Sequence, residues 1–257
     1  MSKDEFREDS LQLEGKNAVL EAFKSGRTIN RLYVQEHAQS AGKDPDRHIA
    51  QILREAKKAG TVVNFVKKER LDVMSETGHH QGVIAEAAAG NYAEVEDILA
   101  AAKEKGEAPF VIVLDDIEDP HNLGAIIRTA ECAGAHGVII PKRRASGLTG
   151  VVSKASAGAV NYVPVARVTN LVRTIGDLKK QGLWFVCADM DGTPMYDLDL
   201  TGPLGLIIGN EGKGVSRLVK EECDFTASIP MKGNIGSLNA SVAAGVLAYE
   251  IVRQRGL

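Results

Sequence analysis

Cysteine is scarce in this chain of 257 residues. The three thiols, Cys132, Cys187 and Cys223, are odd in number, widely spaced and set in apolar or helical context, which argues against a disulfide framework or a cysteine-based zinc site. A reducing cytoplasm is the expected compartment. Long apolar runs are missing too: none approaches the ~20 residues that span a bilayer, and the stretch from Met1 to Asp9 has no apolar core of a secretory leader. Neither export nor membrane embedding is expected. A large charge excess is also absent, since a net charge of -3 excludes a wholly basic nucleic-acid coat while leaving room for a local basic patch. No internal repeat or low-complexity tract stands out.

What is present is the composition of an ordinary α/β protein, 44% hydrophobic and 25% charged, with 26 glycines. Apolar spacing predicts helices over 15–26, 45–59 and 68–74, and strands over 29–34, 61–66 and 82–87. That is a small α/β domain, taken as residues 1–88. Residues 89–108 read as a linker, because Gly90, Gly106 and Pro109 punctuate a helix over 95–105 whose apolar stripe is thin. From residue 109 to 257 the pattern strengthens. Strands are expected over 110–114, 137–140, 162–165, 183–187, 204–208 and 226–229, and helices over 123–135, 150–157, 169–182, 215–222 and 237–253. Short, nearly continuous apolar strands alternating with helices predict a mostly parallel sheet covered on both faces.

Several motifs are misleading. Gly209-Asn-Glu-Gly-Lys-Gly-Val-Ser216 looks like a phosphate loop, but Lys213 is followed by Gly214 where a Walker A motif requires Ser or Thr, and the dinucleotide Gly-x-Gly-x-x-Gly is not formed either. Asp189-Met-Asp-Gly-Thr193 resembles the paired aspartates of haloacid-dehalogenase-type phosphatases, in which one carboxylate attacks phosphorus and the other serves as acid and base. No downstream Gly-Asp-x-x-x-Asp accompanies it. A polar turn before Pro194 is therefore the expected reading. His79-His80 lacks the Cys or acidic neighbours of a metal site and is expected in a loop or an RNA-facing polar patch. No metal is expected.

A stronger set remains. Asp115-Asp-Ile-Glu-Asp-Pro-His-Asn122 leaves the first strand of the larger domain, with Arg128 six residues further on. Asn122 is also a natural helix cap, and Arg128 alone could be a solvated charge. Together with Ile208-Gly-Asn-Glu-Gly212, Ile229-Pro-Met231 and Ser237-Leu-Asn239, however, these residues closely resemble the three signature motifs of the SpoU/TrmH family of RNA ribose 2′-O-methyltransferases. Leu13-Glu-Gly-Lys-Asn-Ala-Val-Leu-Glu21 and His80-Gln-Gly-Val83 extend the similarity to members with an extra substrate-binding domain. The resemblance is greatest to members that methylate a guanosine ribose in 23S rRNA.

The resemblance implies a carboxyl-terminal α/β-knot, a deep trefoil that general topology rules treat as exceptional. It also implies a ribosomal-protein-like amino-terminal RNA-binding domain, and a homodimer formed through the catalytic domain. S-adenosyl-L-methionine would be the methyl donor, with Gly209, Ile229, Met231 and Leu238 at the cofactor. Small Gly209 would permit close approach. Asn122, Arg128, Glu211, Ser237 and Asn239 would form the catalytic group, with Ser237 also suited to capping the last helix. Guanidinium is not readily deprotonated, so Arg128 is expected to bind the neighbouring phosphate and stabilise the developing alkoxide. Structured RNA is the expected partner, rRNA ahead of tRNA, held by Lys142, Arg143 and Arg144. Lys57, Lys58, Lys67, Lys68 and Arg70 form a second basic cluster. Each cluster could equally be a solvated face.

Overall fold

A computed structural model describes residues 11–36 and 46–256. The polar leader and Pro45, the expected start of the second helix, lie outside the described residues. The chain forms two compact units that change over between Asn91 and Tyr92, with Gly147–Gly150 grouped with the first.

The first unit runs β1 (Gln12–Glu14), α1 (Lys16–Lys24), β2 (Ile29–Gln35), α2 (Arg47–Ala59), β3 (Val62–Val66), α3 (Lys68–Met74) and β4 (Val83–Ala87). Its sheet has the order β1-β4-β2-β3, parallel between β2 and β3 and antiparallel elsewhere. Local signals explain α2. Asp46 accepts the His48 and Ile49 amides at 3.0 and 3.3 Å, Gly60 closes the helix in the left-handed region (φ 64°), and Ile49, Ile52 and Ala56 recur on one buried face. That face and Val19 and Leu20 of α1 pack on Leu32, Val34, Val83 and Ala85. Alternate sheet residues, Tyr33 and Ile84, meet Leu71 of α3 instead. His80 lies in a loop, as expected, but not on an RNA-facing patch: it is buried, its Nε2 lies 2.9 Å from Asp72 and its Nδ1 accepts the Gly82 amide at 3.0 Å. It fastens the turn that leads into β4. Only His79 is exposed.

The second unit contains α4 (Val95–Lys105), β5 (Phe110–Leu114), α5 (Pro120–Cys132), β6 (Gly137–Pro141), α6 (Gly150–Ala155), β7 (Val165–Val168), α7 (Leu171–Lys179), β8 (Trp184–Pro194), β9 (Leu204–Ile208), α8 (Arg217–Glu221), β10 (Phe225–Ser228) and α9 (Ala240–Gln254). The sheet is parallel throughout, in the order β10-β8-β9-β5-β6-β7. Central β5 is buried along its whole length, as a strand covered on both faces must be. Val111 and Val113 join Ile139, Phe185 and Ile207 beneath α4, α7 and α8. Helices α5 and α9 pack on each other and reach the sheet at β6 and β9. Truncating fully buried Phe185 to Ala would cost about 3–5 kcal/mol.

Several elements differ from the sequence expectations. Helix α4, placed in the linker, packs Ile98 and Ala102 into the second unit and puts Ile98 in that unit's core. The strand expected over 162–165 begins at Val165, because Gly158 (φ 85°) opens a tight 3-10 turn over Ala159–Asn161 and Pro164 has no amide to pair. Strand β8 runs to Pro194 rather than ending at Cys187. Residues 188–192 leave the pairing: Thr226 of β10 stands opposite Cys187, and the next residue, Ala227, opposite Thr193. A Cβ on Gly192 would lie 2.6 Å from the Thr226 carbonyl oxygen, so the excursion requires glycine there. Among the described residues, no helix is long and apolar enough to cross a membrane.

Candidate active site

Chain order places the site. From β5 the chain moves outward through β6 to β7, then crosses to β8 and returns to insert β9 beside β5. The loops after β5 and β9 therefore diverge at a topological switch point, where open α/β sheets form crevices at the carboxyl ends of their strands. At this edge the Asp115 amide donates to the Ile208 carbonyl at 2.9 Å, and the buried Asp115 carboxylate accepts the Ser216 amide at 2.8 Å.

Three residues from separate loops share hydrogen bonds here. Helix α5 starts three residues earlier than expected because Asp119 caps it, accepting the His121 amide at 2.9 Å, with Pro120 at the first helical position. Asn122 is thereby released from capping and is buried in the first turn. Its Nδ2 donates to Glu211 Oε1 at 2.7 Å, and its Oδ1 accepts Asn239 Nδ2 at 3.0 Å. The same Asn239 nitrogen also donates to Glu211 Oε1. The Ala240 amide points at that oxygen from 3.4 Å. Asn239, and not Ser237, caps α9: its Oδ1 accepts the Ser241 and Val242 amides at 3.0 and 3.4 Å. With both ends of each amide committed, neither asparagine can flip without losing bonds. Glu211 Oε2 has no hydrogen bond among the described residues.

Arg128 stands apart from this ring. Six residues from Asn122 place it roughly 120° away around α5. It is exposed, with no hydrogen bond or ion pair among the described residues. Ser237 is exposed as well, and its hydroxyl has no partner among them.

A cavity of about 330 Å³ opens beside Glu211. Gly209, Ile229, Met231, Leu238, Glu211 and Ser237 line it, together with Ala188, Asp189, Met190 and the loop from Asn210 to Gly214. Gly209 has a different reason from the one expected. A Cβ there would sit 2.2 Å from the Gly214 carbonyl carbon and 2.3 Å from the Val215 amide nitrogen. The loop's own backbone fills that space. Asn210, which the sequence reading missed, shapes the same loop: its Oδ1 accepts the Gly212 and Lys213 amides at 2.9 and 3.1 Å, and its Nδ2 donates to the Asp116 carbonyl at 3.1 Å. The findable signal was an Asx turn between glycines.

Asp189 lies in the β8 excursion. It is paired with Lys220 at 2.6 Å, a hydrogen bond that holds its carboxyl below its ordinary range, and it also accepts the Asp191 amide at 3.2 Å. A carboxylate so committed does not favour the phosphatase reading. Arg143 and Arg144 are exposed, whereas Lys142 is half-buried with its backbone paired to β7. In the first unit Lys57, Lys58, Lys67, Lys68 and Arg70 are exposed, with Lys58 paired to Glu55 at 3.0 Å.

The fold and cavity define an α/β protein with a cleft of nucleoside size at the carboxyl ends of a parallel sheet. S-adenosylmethionine fits this lining, since apolar Ile229, Met231 and Leu238 suit its base and the 209–214 loop supplies backbone groups. Comparison with known proteins makes the class specific. The profile described as the SpoU rRNA Methylase family matches residues 109–249, and that of RNA 2′-O ribose methyltransferase substrate binding matches residues 12–93. A Bacillus subtilis protein named for the TrmH family of tRNA/rRNA methyltransferases is 50% identical over 94% of both chains. The solved SpoU methyltransferase AviRb from Streptomyces viridochromogenes, in complex with the cofactor AdoMet, is similar with a TM-score of 0.59 and 26% identity, covering 99% of this chain and 94% of that one. A TrmH/SpoU tRNA modifying enzyme from A. aeolicus is similar with a TM-score of 0.53 and 29% identity over 58% of this chain and 76% of that one.

The chain belongs to the SpoU rRNA methylase family. It is an RNA methyltransferase of the type that uses S-adenosylmethionine.

Proposed function

We propose that the chain methylates a ribose 2′-hydroxyl, that of a guanosine in 23S rRNA. The observation that carries this reading is the Asn122–Glu211–Asn239 ring beside the cavity. S-adenosylmethionine would supply an electrophilic methyl group there, held by Ile229, Met231, Leu238 and the loop that begins at Gly209. Glu211 is fixed through Oε1, which leaves Oε2 to accept a hydrogen bond from the incoming hydroxyl and orient its oxygen. Ser237 adds a hydroxyl on the same rim, with no partner among the described residues. Arg128, exposed and without a partner among the described residues, is available to bind the adjoining phosphate and offset developing negative charge.

Residues 12–93 are assigned to RNA binding, in keeping with their substrate-binding profile, and Lys142, Arg143 and Arg144 to the phosphate backbone beside the site. Ribosomal RNA is preferred to tRNA on the strength of the extra domain. The trefoil knot, the homodimer and the cytoplasmic location come from the family resemblance. The dimer is further supported by Val242 and Tyr249, seven residues apart on one exposed face of α9. Sedimentation of Val242→Glu/Tyr249→Glu as a monomer would agree with it, and sedimentation unchanged from the unsubstituted protein would count against this face.

The decisive test incubates the protein with labelled S-adenosylmethionine and total RNA from a strain lacking it, then maps the alkali-resistant position. A single 2′-O-methylguanosine in 23S rRNA is expected. Label only in tRNA would overturn the substrate, and label on a base would overturn the site of transfer.

A further inference from the structure

Three loops meet at one carboxylate beside the cavity. Asp116 follows β5, Arg144 follows β6 and Lys213 follows β9. Arg144 Nε stands 3.7 Å from Asp116 Oδ1, and Lys213 Nζ stands 3.7 Å from Oδ2. These are ion-pair distances, too long for hydrogen bonds. Oδ1 is buried and has no hydrogen-bond partner among the described residues. The Asp116 side chain is only 12% exposed, whereas Arg144 and Lys213 are 69% and 81% exposed. The anion is thus fixed and poorly satisfied, while both cations can turn outward.

The backbone agrees with a built arrangement. Asp116 and Arg144 both hold left-handed conformations, at φ 65° and 55°, which strain a non-glycine residue and persist where the surroundings impose them. The ties are visible: Asn210 of the cavity loop donates to the Asp116 carbonyl, and the Ser146 amide donates to the Ile117 carbonyl at 2.9 Å. Lys213 itself lines the cavity, two residues from Glu211.

We propose that Lys213 and Arg144 form a phosphate subsite for the RNA strand being methylated, and that Asp116 occupies it as a stand-in anion until a phosphodiester arrives. This rests on the reading of the chain as an RNA methyltransferase. Both cations are exposed and stand too far from Asp116 for hydrogen bonds, so the short, charge-assisted bonds each gains on turning to a phosphate offset the cost of leaving the part-buried carboxylate. The fixed Asp116 charge repels a loose phosphate. The subsite therefore accepts one delivered by a strand already held elsewhere, and places it next to the ribose presented to Glu211.

The test uses 23S rRNA from a strain lacking the protein and reads cofactor affinity, transfer kinetics and binding against salt. Lys213→Gln and Arg144→Gln should each raise KM for rRNA about tenfold and reduce the slope of log affinity against log salt by ~1, with cofactor affinity unchanged in Arg144→Gln, which lies outside the cavity lining. Asp116→Asn suits the left-handed backbone and keeps the carbonyl bond from Asn210, so it should fold. It should lower KM severalfold, and Asp116→Asn/Lys213→Gln should lose most of that gain. Unchanged KM and salt slope in both cation variants would overturn the subsite, and a higher KM in Asp116→Asn would overturn the stand-in role. The salt slope is read on binding alone, so it judges the subsite separately from any failure of the unsubstituted protein to transfer methyl groups.

Discussion

Glu14 in the first unit and Glu211 in the second are both carboxylates that gather several donors, and they differ in what is left over. Both oxygens of Glu14 are taken. Oε1 accepts Gln12 at 2.7 Å and the Glu76 amide at 2.6 Å, and Oε2 accepts the Ser75 hydroxyl at 2.6 Å and both the amide and hydroxyl of Thr77. Burial pushes this carboxyl up, but the donors outweigh burial and hold it at about 2. Glu211 crowds its donors onto one oxygen and leaves the other without any among the described residues. A saturated carboxylate closes a loop, whereas a half-saturated one is rigid and still able to receive a ligand.

The largest expected effect separates the two directly. Glu211→Gln should cut methyl transfer by ~10²-fold or more at saturating cofactor, while Glu14→Gln leaves transfer unchanged. Equal losses would break the contrast. Next, Arg128→Lys should lower kcat ~10- to 100-fold with cofactor affinity intact by calorimetry, since a point charge replaces a planar fork. Full activity in that variant would remove Arg128 from the chemistry. A smaller effect is expected from Gly209→Ala, whose Cβ collides with the Gly214 and Val215 backbone. Cofactor binding should weaken about tenfold and unfolding stability fall by about 1–3 kcal/mol. An unperturbed variant would mean that the loop relaxes freely.

The smallest effect is on stability against pH. The Glu14 carboxyl is depressed from 4.5 to about 2 in the folded chain. Its contribution is therefore complete above 4.5 and is lost as pH falls toward 2. Denaturant midpoints measured near pH 6 and near pH 3 should drop further for the unsubstituted protein than for Glu14→Gln. Parallel drops would show that the donors do not stabilise the ionised form.

Much of the fold was legible where apolar period and punctuation agreed. Helices α3 and α4 and strands β5 and β9 have the expected bounds, since nothing competes with their pattern and Gly106, Pro109, Pro203 and Gly209 punctuate the last three. Helix α5 was misjudged although its signals were present: Asp119 and Pro120 are a cap and a first-turn residue, yet the apolar run from Leu123 drew the boundary inward. Strand β1 is three residues at a sheet edge, too short for alternation to register. The β8 excursion is polar and glycine-containing, which reads as a turn unless its return to β10 is known. For the site, residue types and loops were visible through the family resemblance. The pairing of Asn122 with Asn239 was not, since no local pattern specifies a bond between residues 117 positions apart.

Asn239 has a consequence for the order of events during synthesis. Its side chain both starts α9 and completes the ring with Asn122 and Glu211. An unformed α9 leaves the Asn239 oxygen without its amide partners and the side chain free to rotate. A growing chain that has already folded β5 to β10 therefore holds Glu211 through Asn122 alone, and completes the ring only when residues 240–254 have emerged and coiled.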